Sequence, residues 1–407
     1  MKIFGKLNVW DAALERIRFL YDEFGENVVV CTSGGKDSVV VTELCIKVAR
    51  EKGLLPINLL FIDQEAEWQA VIDYIEATMD REEVNPLWLQ CHIKIFNAVS
   101  HKENWVHAWR PEDEHRWMRE KSSISIHENT FGTLRFKPMF AAFLNHWRPE
   151  EKACMIGGVR AEESPARTVS LTYRTKYKHI TWAKRHDNKK AEHFTFYPLY
   201  DWSYTDIWKA IHSNGWRYCR IYDYMFRYGY GVNDMRVSNL HHETSFKQLF
   251  FMQEIEPQTW EKMAGRADGI NTAKHLKKGM MAPKTLPPMF ESWREYRDYL
   301  LEKMVTDPDI KAKFLREFKH LDSKYIHPMI ADRKDGECVS SILANDYFLT
   351  KIGNFKARPE VVTYRRWLAG KLSTRDIPKG GLAFIEDAIN NPVPGDGRLK
   401  REAAKDE

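Results

Sequence analysis

The chain has 407 residues, 43% of them hydrophobic and 29% charged, with a formal net charge of +5. That length suits two domains, or one α/β domain with a large appendage, and so small a charge does not by itself indicate nucleic-acid binding. No apolar run reaches the roughly 18 residues of a membrane-spanning helix, and the cysteines are scattered, against a disulfide framework or a zinc ribbon.

The first residues lack the apolar core of a signal peptide, so a cytoplasmic protein is expected. The aromatic share of 13%, with 14 Trp, is high. Such side chains fill cores, stack on bases or form partner surfaces.

From Asn8 to Phe24, the side chains of Leu14, Ile17, Leu20, Tyr21 and Phe24 share one face of an amphipathic helix. Val28-Val29-Val30 reads as a buried strand that stops at Ser33-Gly34-Gly35, and a helical pattern then runs from Ser38 to about Lys52. The two glycines permit a tight turn and bring backbone N–H groups close to an anion. The helix aims its free amides and the positive end of its dipole at the same spot. Ser33 and Ser38 add hydroxyls there, and Lys36 adds a full charge. Strand, glycine turn and helix together make a phosphate cradle. It is not a Walker A loop, because Val30 stands where the first Gly belongs and Asp37 follows the Lys.

Pro56 to Asp63 is a second buried strand, Glu67 to Met79 a helix, and Leu87 to Cys91 a third strand. This alternation predicts a parallel sheet flanked by helices, with ligands beyond the carboxyl ends of its strands. The glycine loop and the acidic Asp63-Gln64-Glu65 therefore face one crevice. Asn97 to Asn129 is polar and Trp-rich, read as helix and then loop, and Lys137 to Trp147 is helical. Ala153 to Gly158 is a strand that ends in glycines just before Arg160, which puts a cation at the ligand edge. Phe194 to Tyr200 is one more strand, and Ser203 with Asp206 forms the capping box of the next helix.

Between these elements, Arg167 to Lys190 carries eight Lys or Arg residues against Asp187 alone, with Tyr173, Tyr177 and Trp182 interleaved. That density suits either a phosphate-rich polymer or a solvated loop that holds ATP or another small anion. Past Val237 the alternation ceases, and Thr244–Gln253, Ser292–Val305, Asp309–Phe318, Ser340–Leu349 and Pro359–Lys371 read as helices. Gly265 to Pro288 reads as a linker or mobile loop, and the chain from Pro394 as a frayed tail. The expected organisation is an α/β nucleotide-binding domain over 1–236 and a mainly helical domain over 237–407.

Ser33-Gly34-Gly35-Lys36-Asp37-Ser38 resembles the pyrophosphate loop of the PP-loop ATP pyrophosphatases, an adenine nucleotide alpha hydrolase (HUP-like) fold. The resemblance extends further along the chain: Asp63, Gly157-Gly158-Val159-Arg160 with Glu162, Glu163, Ser164 and Arg167, and Tyr197-Pro198-Leu199-Tyr200-Asp201-Trp202 with Asp206-Ile207-Trp208. These resemble the successive signatures of the phosphoadenosine phosphosulfate (PAPS) reductase family over roughly Asn8 to Met235. The helical extension and Trp-rich middle resemble the branch related to immunoglobulin-binding regulator A. Members of that branch are typically encoded beside a ParB-like/sulfiredoxin-like partner.

The resemblance implies ATP as ligand, cut between its α and β phosphates. Backbone amides of Gly34 and Gly35, with Ser33, Lys36 and Ser38, would hold the β and γ phosphates, and Gly158 would lie beside the nucleotide. Lys36, Asp37 and Arg160 are the implied catalytic group. Asp37 orients the loop or helps bind Mg²⁺, or is simply an acid favoured at a helix N-terminus. Asp63 touches ribose or metal, or is a solvent-facing acid at a strand end. Arg160 and Arg167 grip phosphate or sulfate oxygens, or pair with Glu162 and Glu163.

One departure bears on activity. Reductases of the family carry a late Glu-Cys-Gly-x-His segment whose Cys attacks sulfur, whereas this chain has Gly336-Glu337-Cys338-Val339-Ser340. The expected function is therefore a Mg²⁺-dependent adenylation of a protein partner or a nucleic acid, without sulfate reduction. The alternatives are a true PAPS or adenylylsulfate reductase using Cys338, and a non-catalytic ATP sensor that docks a ParB-like protein or DNA.

Overall fold

The computed structural model describes residues 5–349, apart from 101–102, 189, 233–234, 238–239, 242–244, 274–282, 325–327, 347–348. The helix expected at 359–371, the tail from Pro394, Lys189 of the basic stretch and 274–282 of the expected linker lie outside the described residues. Two compact units divide the chain, 1–95 with 105–274 and 96–104 with 275–407.

The first unit opens with α1 (Val9–Phe24), whose Asn8 side chain accepts the Asp11 amide as N-cap and whose Leu14, Ile17, Leu20, Tyr21 and Phe24 are buried. It continues through β1 (Val28–Cys31), α2 (Lys36–Lys52), β2 (Ile57–Ile62), α3 (Gln69–Met79) and β3 (Val84–Leu89). The short strands β4 (Ile93–Phe96) and β5 (Trp105–Ala108) pair with each other, and β5 stands where a helix is expected from sequence. Next come α4 (Phe136–Trp147), β6 (Ala153–Ile156), α5 (Pro165–Thr172), β7 (Ala183–His186) and β8 (His193–Phe196). After β8 the chain is helical: α6 (Tyr204–Asn214), α7 (Ile221–Arg227), α8 (Phe246–Ile255), α9 (Pro257–Arg266) and α10 (Ile270–Ala273). Helices α8 to α10 belong to the same unit as the sheet, which thus runs past the boundary expected at 236/237.

The six-stranded sheet has the order β3-β2-β1-β6-β8-β7, parallel throughout except for antiparallel β7 at one edge. Strands β1 and β6 pair Val29 with Met155, and both are buried, as the β-branched and apolar runs require of strands covered on two faces. The chain moves outward from β1 to β3 and returns on the other side of β1 at β6. The crevice at their carboxyl ends is the topological switch point of the sheet. One face is covered by α4, whose Met139, Phe143 and Leu144 pack with Val29, Leu60, Leu89 and Met155. Each such fully buried aliphatic side chain contributes about 1.5–3 kcal/mol.

Antiparallel β7 reads Ala-Lys-Arg-His, with Lys184 and Arg185 exposed. It gives the second half of the basic stretch a strand structure, and charge on an edge strand discourages further pairing.

In the second unit, α11 (Trp293–Met304), α12 (Pro308–Lys324) and α13 (Pro328–Leu343) are joined by charge as well as by apolar packing. Arg297 is buried on α11 and donates to Asp335 on α13 at 2.5 Å and to Asp322 on α12 at 2.9 Å. Asn345 donates to the carbonyls of Asn97 and Ser100 at 2.5 and 3.1 Å, which ties the 96–104 segment to this unit. Among the described residues no helix is long and apolar enough to cross a membrane.

Candidate functional site

The glycine loop joins β1 to α2, and α2 starts at Lys36, two residues before the expected Ser38. Gly34 has φ +67°, and a Cβ there would meet Val71 of α3 at 2.8 Å, so this position needs glycine twice over. The loop is held from within. Ser38 Oγ accepts the Ser33 amide at 3.2 Å and donates to the Gly35 carbonyl at 2.8 Å, and Thr32 Oγ1 accepts the Gly34 amide at 3.3 Å. From α7, the buried Tyr222 hydroxyl accepts the Lys36 amide at 3.1 Å.

Gly158, after β6, is pressed against the head of α2. A Cβ at 158 would stand 2.8 Å from the Asp37 carbonyl oxygen. The close approach brings Arg160 onto Asp37: Arg160 Nε donates to the carboxylate at 2.5 Å, and Lys36 Nζ donates to its other oxygen at 3.0 Å. Arg160 also donates to Glu162 at 2.9 Å and to the Trp202 carbonyl at 3.2 Å. Lys36 and Arg160 are both buried, at 8% and 4% exposure. Lys36 and Arg160 thus share Asp37 at the head of α2, and Glu162 supplies a second carboxylate to Arg160.

Around this centre lies a cavity of about 960 Å³. Of the residues singled out from sequence, Ser33, Gly35, Lys36, Asp37, Ser38, Gly158, Arg160 and Arg167 all line it. Gly34 shapes the loop from behind. Arg167, on α5, is paired with Glu163, and burial together with the nearby Arg236 guanidinium lowers its pKa. The ion pairs weighed for Arg160 and Arg167 are therefore present, with Glu162 and Glu163 as partners, and both arginines still face the cavity.

Asp63 is placed elsewhere. It is fully buried, and its carboxylate takes Arg119 Nη2 at 2.5 and 2.6 Å, Trp88 Nε1 at 3.0 Å, Gln90 Nε2 at 3.0 Å and the Glu65 amide at 2.8 Å. A carboxylate so completely bonded is a structural anchor beneath the cavity wall, neither the solvent-facing acid nor the ribose contact read from sequence. Glu65, two residues on, sits at φ +67° and is likewise fully buried. It pairs with Arg266 at 2.6 and 3.2 Å and accepts the Trp109 amide at 2.9 Å.

Among the described residues, Asp37 and Asp63 are already engaged and do not make a resident Mg²⁺ site. Asp37 is taken up by Lys36 and Arg160 and Asp63 by Arg119. Among the described residues no group of three His, Cys, Asp or Glu side chains is arranged to hold a metal ion.

Sequence reasoning passes over the cavity residues Tyr222, Glu67 and Arg236. Tyr222 is buried, and burial raises its hydroxyl pKa well above the usual tyrosine value. Glu67 is 3% exposed, and its carboxyl is pushed up to about 8 by burial first and by Asp63 second. Its Oε2 and the Oε1 of neighbouring Gln64 have no hydrogen-bond partner. The one local signal for Glu67 was a third acid in five residues after a strand end.

The match to a known domain family agrees with this geometry. Residues 27–228 match the phosphoadenosine phosphosulfate reductase domain, and 229–361 match a domain of unknown function, DUF3440. The uncharacterized protein YbdN of Escherichia coli (strain K12) is 28% identical over 314 residues, 73% of this chain and 76% of that protein. Among solved structures, Candida glabrata FMN adenylyltransferase aligns at 13% identity and TM-score 0.34, over 55% of this chain and 62% of that one, which is less than two thirds of its length. The PAPS reductase of Candida auris in its phosphate complex aligns at 13% identity and TM-score 0.33, over 58% and 90%. With the glycine loop at the switch point of a parallel sheet, the region 27–228 belongs to the PAPS reductase-like group of PP-loop nucleotide-binding domains.

Proposed function

We propose that the protein binds ATP at the Ser33–Ser38 loop and transfers its adenylyl group to an acceptor. A nucleophile on the acceptor attacks the α phosphorus, the bond to the α–β bridging oxygen breaks, and pyrophosphate leaves with that oxygen. The observation that carries this reading is the convergence of two buried cations, Lys36 and Arg160, on Asp37 at the head of α2. Asp37 fixes the direction of both cations, and the charge building on the departing pyrophosphate is offset by groups already in place. A protein partner of the ParB-like kind, or a nucleic acid at Arg167–Lys190, would be the acceptor and would leave this centre unchanged.

Sulfate reduction through Cys338 is the poorer reading. That thiol is fully buried in α13, and burial raises its pKa above the ordinary cysteine value, which suppresses the thiolate that attack on sulfur needs. Incubation with α-³²P-ATP and candidate acceptors tests the proposal. Labelled AMP on the acceptor and free pyrophosphate are expected, both lost in Lys36→Ala. ADP and orthophosphate as the products would overturn it.

A further inference from the structure

The cavity extends to both sides of the glycine loop, and the sides differ in charge. Toward β2 it is lined by Leu60, Ile62, Gln64 and Glu67, a wall in which the one carboxyl is held protonated near neutrality. Toward β8 and β7 it is lined by Thr195, Tyr197 and Lys184, with Arg167 from α5 and Arg236 from the stretch after α7. Thr195 is the register partner of Lys184, so both side chains stand on the same face of the sheet.

The cationic wall begins beside the loop, where Arg167 interacts with Asp37 and Arg160, and extends away from it to Lys184. In the order β1-β6-β8-β7, Lys184 lies three strands from the loop-bearing strand, roughly 14 Å at the usual strand spacing. A nucleotide with its phosphates on the loop and its nucleoside toward β2 leaves this second wall uncovered. Arg167 has Glu163 as partner, whereas Lys184 and Arg236, both exposed, have no carboxylate partner among the described residues. Arg236 also bears on Arg167 as a like charge. Lys184 and Arg236, two cations without a carboxylate partner among the described residues on a wall where Arg167 adds a third, suit an incoming oxyanion, which relieves the repulsion between Arg236 and Arg167.

We infer that Arg236 and Lys184, with Arg167, form a second anion subsite that takes a phosphate group on the acceptor. The inference rests on the adenylyl-transfer reading and deepens it. The acceptor is a phosphate-bearing molecule that enters from the β7 side, with its nucleophile toward the α phosphorus. Arg236 lies in the stretch that matches DUF3440, so the subsite joins side chains from both matched regions within the first unit.

Inorganic phosphate titrated calorimetrically into protein saturated with the ATP analogue AMPCPP is the test. Saturable binding is expected, weakened roughly tenfold in Arg236→Gln and in Lys184→Gln, as for loss of one charge-assisted hydrogen bond. Both side chains are exposed, so neither substitution disturbs packing. Lys36→Ala separates the two proposals, because it should abolish AMPCPP binding and leave phosphate binding in place. Phosphate binding that is absent in the wild type, unchanged in both glutamine variants, or lost in Lys36→Ala overturns the subsite. Failure of AMPCPP to bind overturns the nucleotide reading instead. Displacement of phosphate by a single-stranded oligonucleotide, steeply weakened by salt, would assign the phosphate to a nucleic acid, and its retention to a small phosphorylated acceptor.

Discussion

Gly158 touches the backbone of Asp37: a Cβ at 158 would stand 2.8 Å from the Asp37 carbonyl oxygen, 2.9 Å from its carbon and 3.1 Å from the Ser38 nitrogen. The atoms in the way are backbone atoms of the first turn of α2, so no side-chain rotation relieves the clash. Gly158→Ala should separate the β6 loop from α2 and take Arg160 off Asp37. We expect a stability loss of about 1–3 kcal/mol in denaturant titration, together with a fall in ATP affinity. Unchanged ATP binding in the folded variant would show that this contact does not position the cations.

Arg266 neutralises Glu65 where neither meets water, at 4% and 0% exposure. Arg266→Ala leaves a buried carboxylate with backbone donors alone, a loss of about 3–5 kcal/mol by the usual cost of breaking such a pair. Adding Glu65→Gln removes the uncompensated charge and should restore much of that loss. A double-mutant cycle by urea denaturation measures it, and additive effects would contradict the coupling.

Glu67 gives a pH dependence of definite sign. Its carboxyl titrates at about 8 in the folded chain and in the ordinary carboxylate range when unfolded. Between those values the native state binds more protons than the unfolded state, so stability falls as pH rises toward 8. Asp63 pushes the same way and Arg119 opposes it. Glu67→Gln carries no titrating group. It should melt close to wild type near pH 4.5 and clearly higher at pH 8.5, because holding a carboxyl that titrates at about 8 in its charged form costs the native state on the order of 4–5 kcal/mol. Parallel melting-temperature profiles from pH 5 to 9 would contradict the assignment.

Cys338 should be silent. Cys338→Ser should leave ATP turnover unchanged, and the native protein should resist alkylation at this thiol until it unfolds, as its burial requires. Rapid alkylation in the folded state would contradict that burial.

Much of the first unit was legible because its signals are local. The β-branched run of β1, the glycine turn, the apolar face of α1 and the Ser203–Asp206 capping box each declare themselves within a few residues, and each forms as read. Strands β5 and β7 are four residues long, and β7 is half charged, so neither offers enough alternation to separate it from a loop. Helix α5 was within reach, since Ser164 caps it and Pro165 occupies its first turn. The acidic stretch after β2 was found, but its roles were not. Arg119 lies 56 positions from Asp63 and Arg266 lies 201 from Glu65, and nothing local links such partners. Tyr222 escaped for the same reason, 186 positions from the amide that it accepts.

That tyrosine has a consequence for how a ligand is received. With Tyr222 on the Lys36 amide, Ser38 on Ser33 and Thr32 on Gly34, the curve of the loop is set by the protein's own hydroxyls. Arrival of a nucleotide then demands little rearrangement, so the conformational entropy surrendered on docking is small and more of the contact energy remains as affinity. A chain cut short before α7 would keep the glycines and lose the brace, and its loop would have to be ordered anew by every guest.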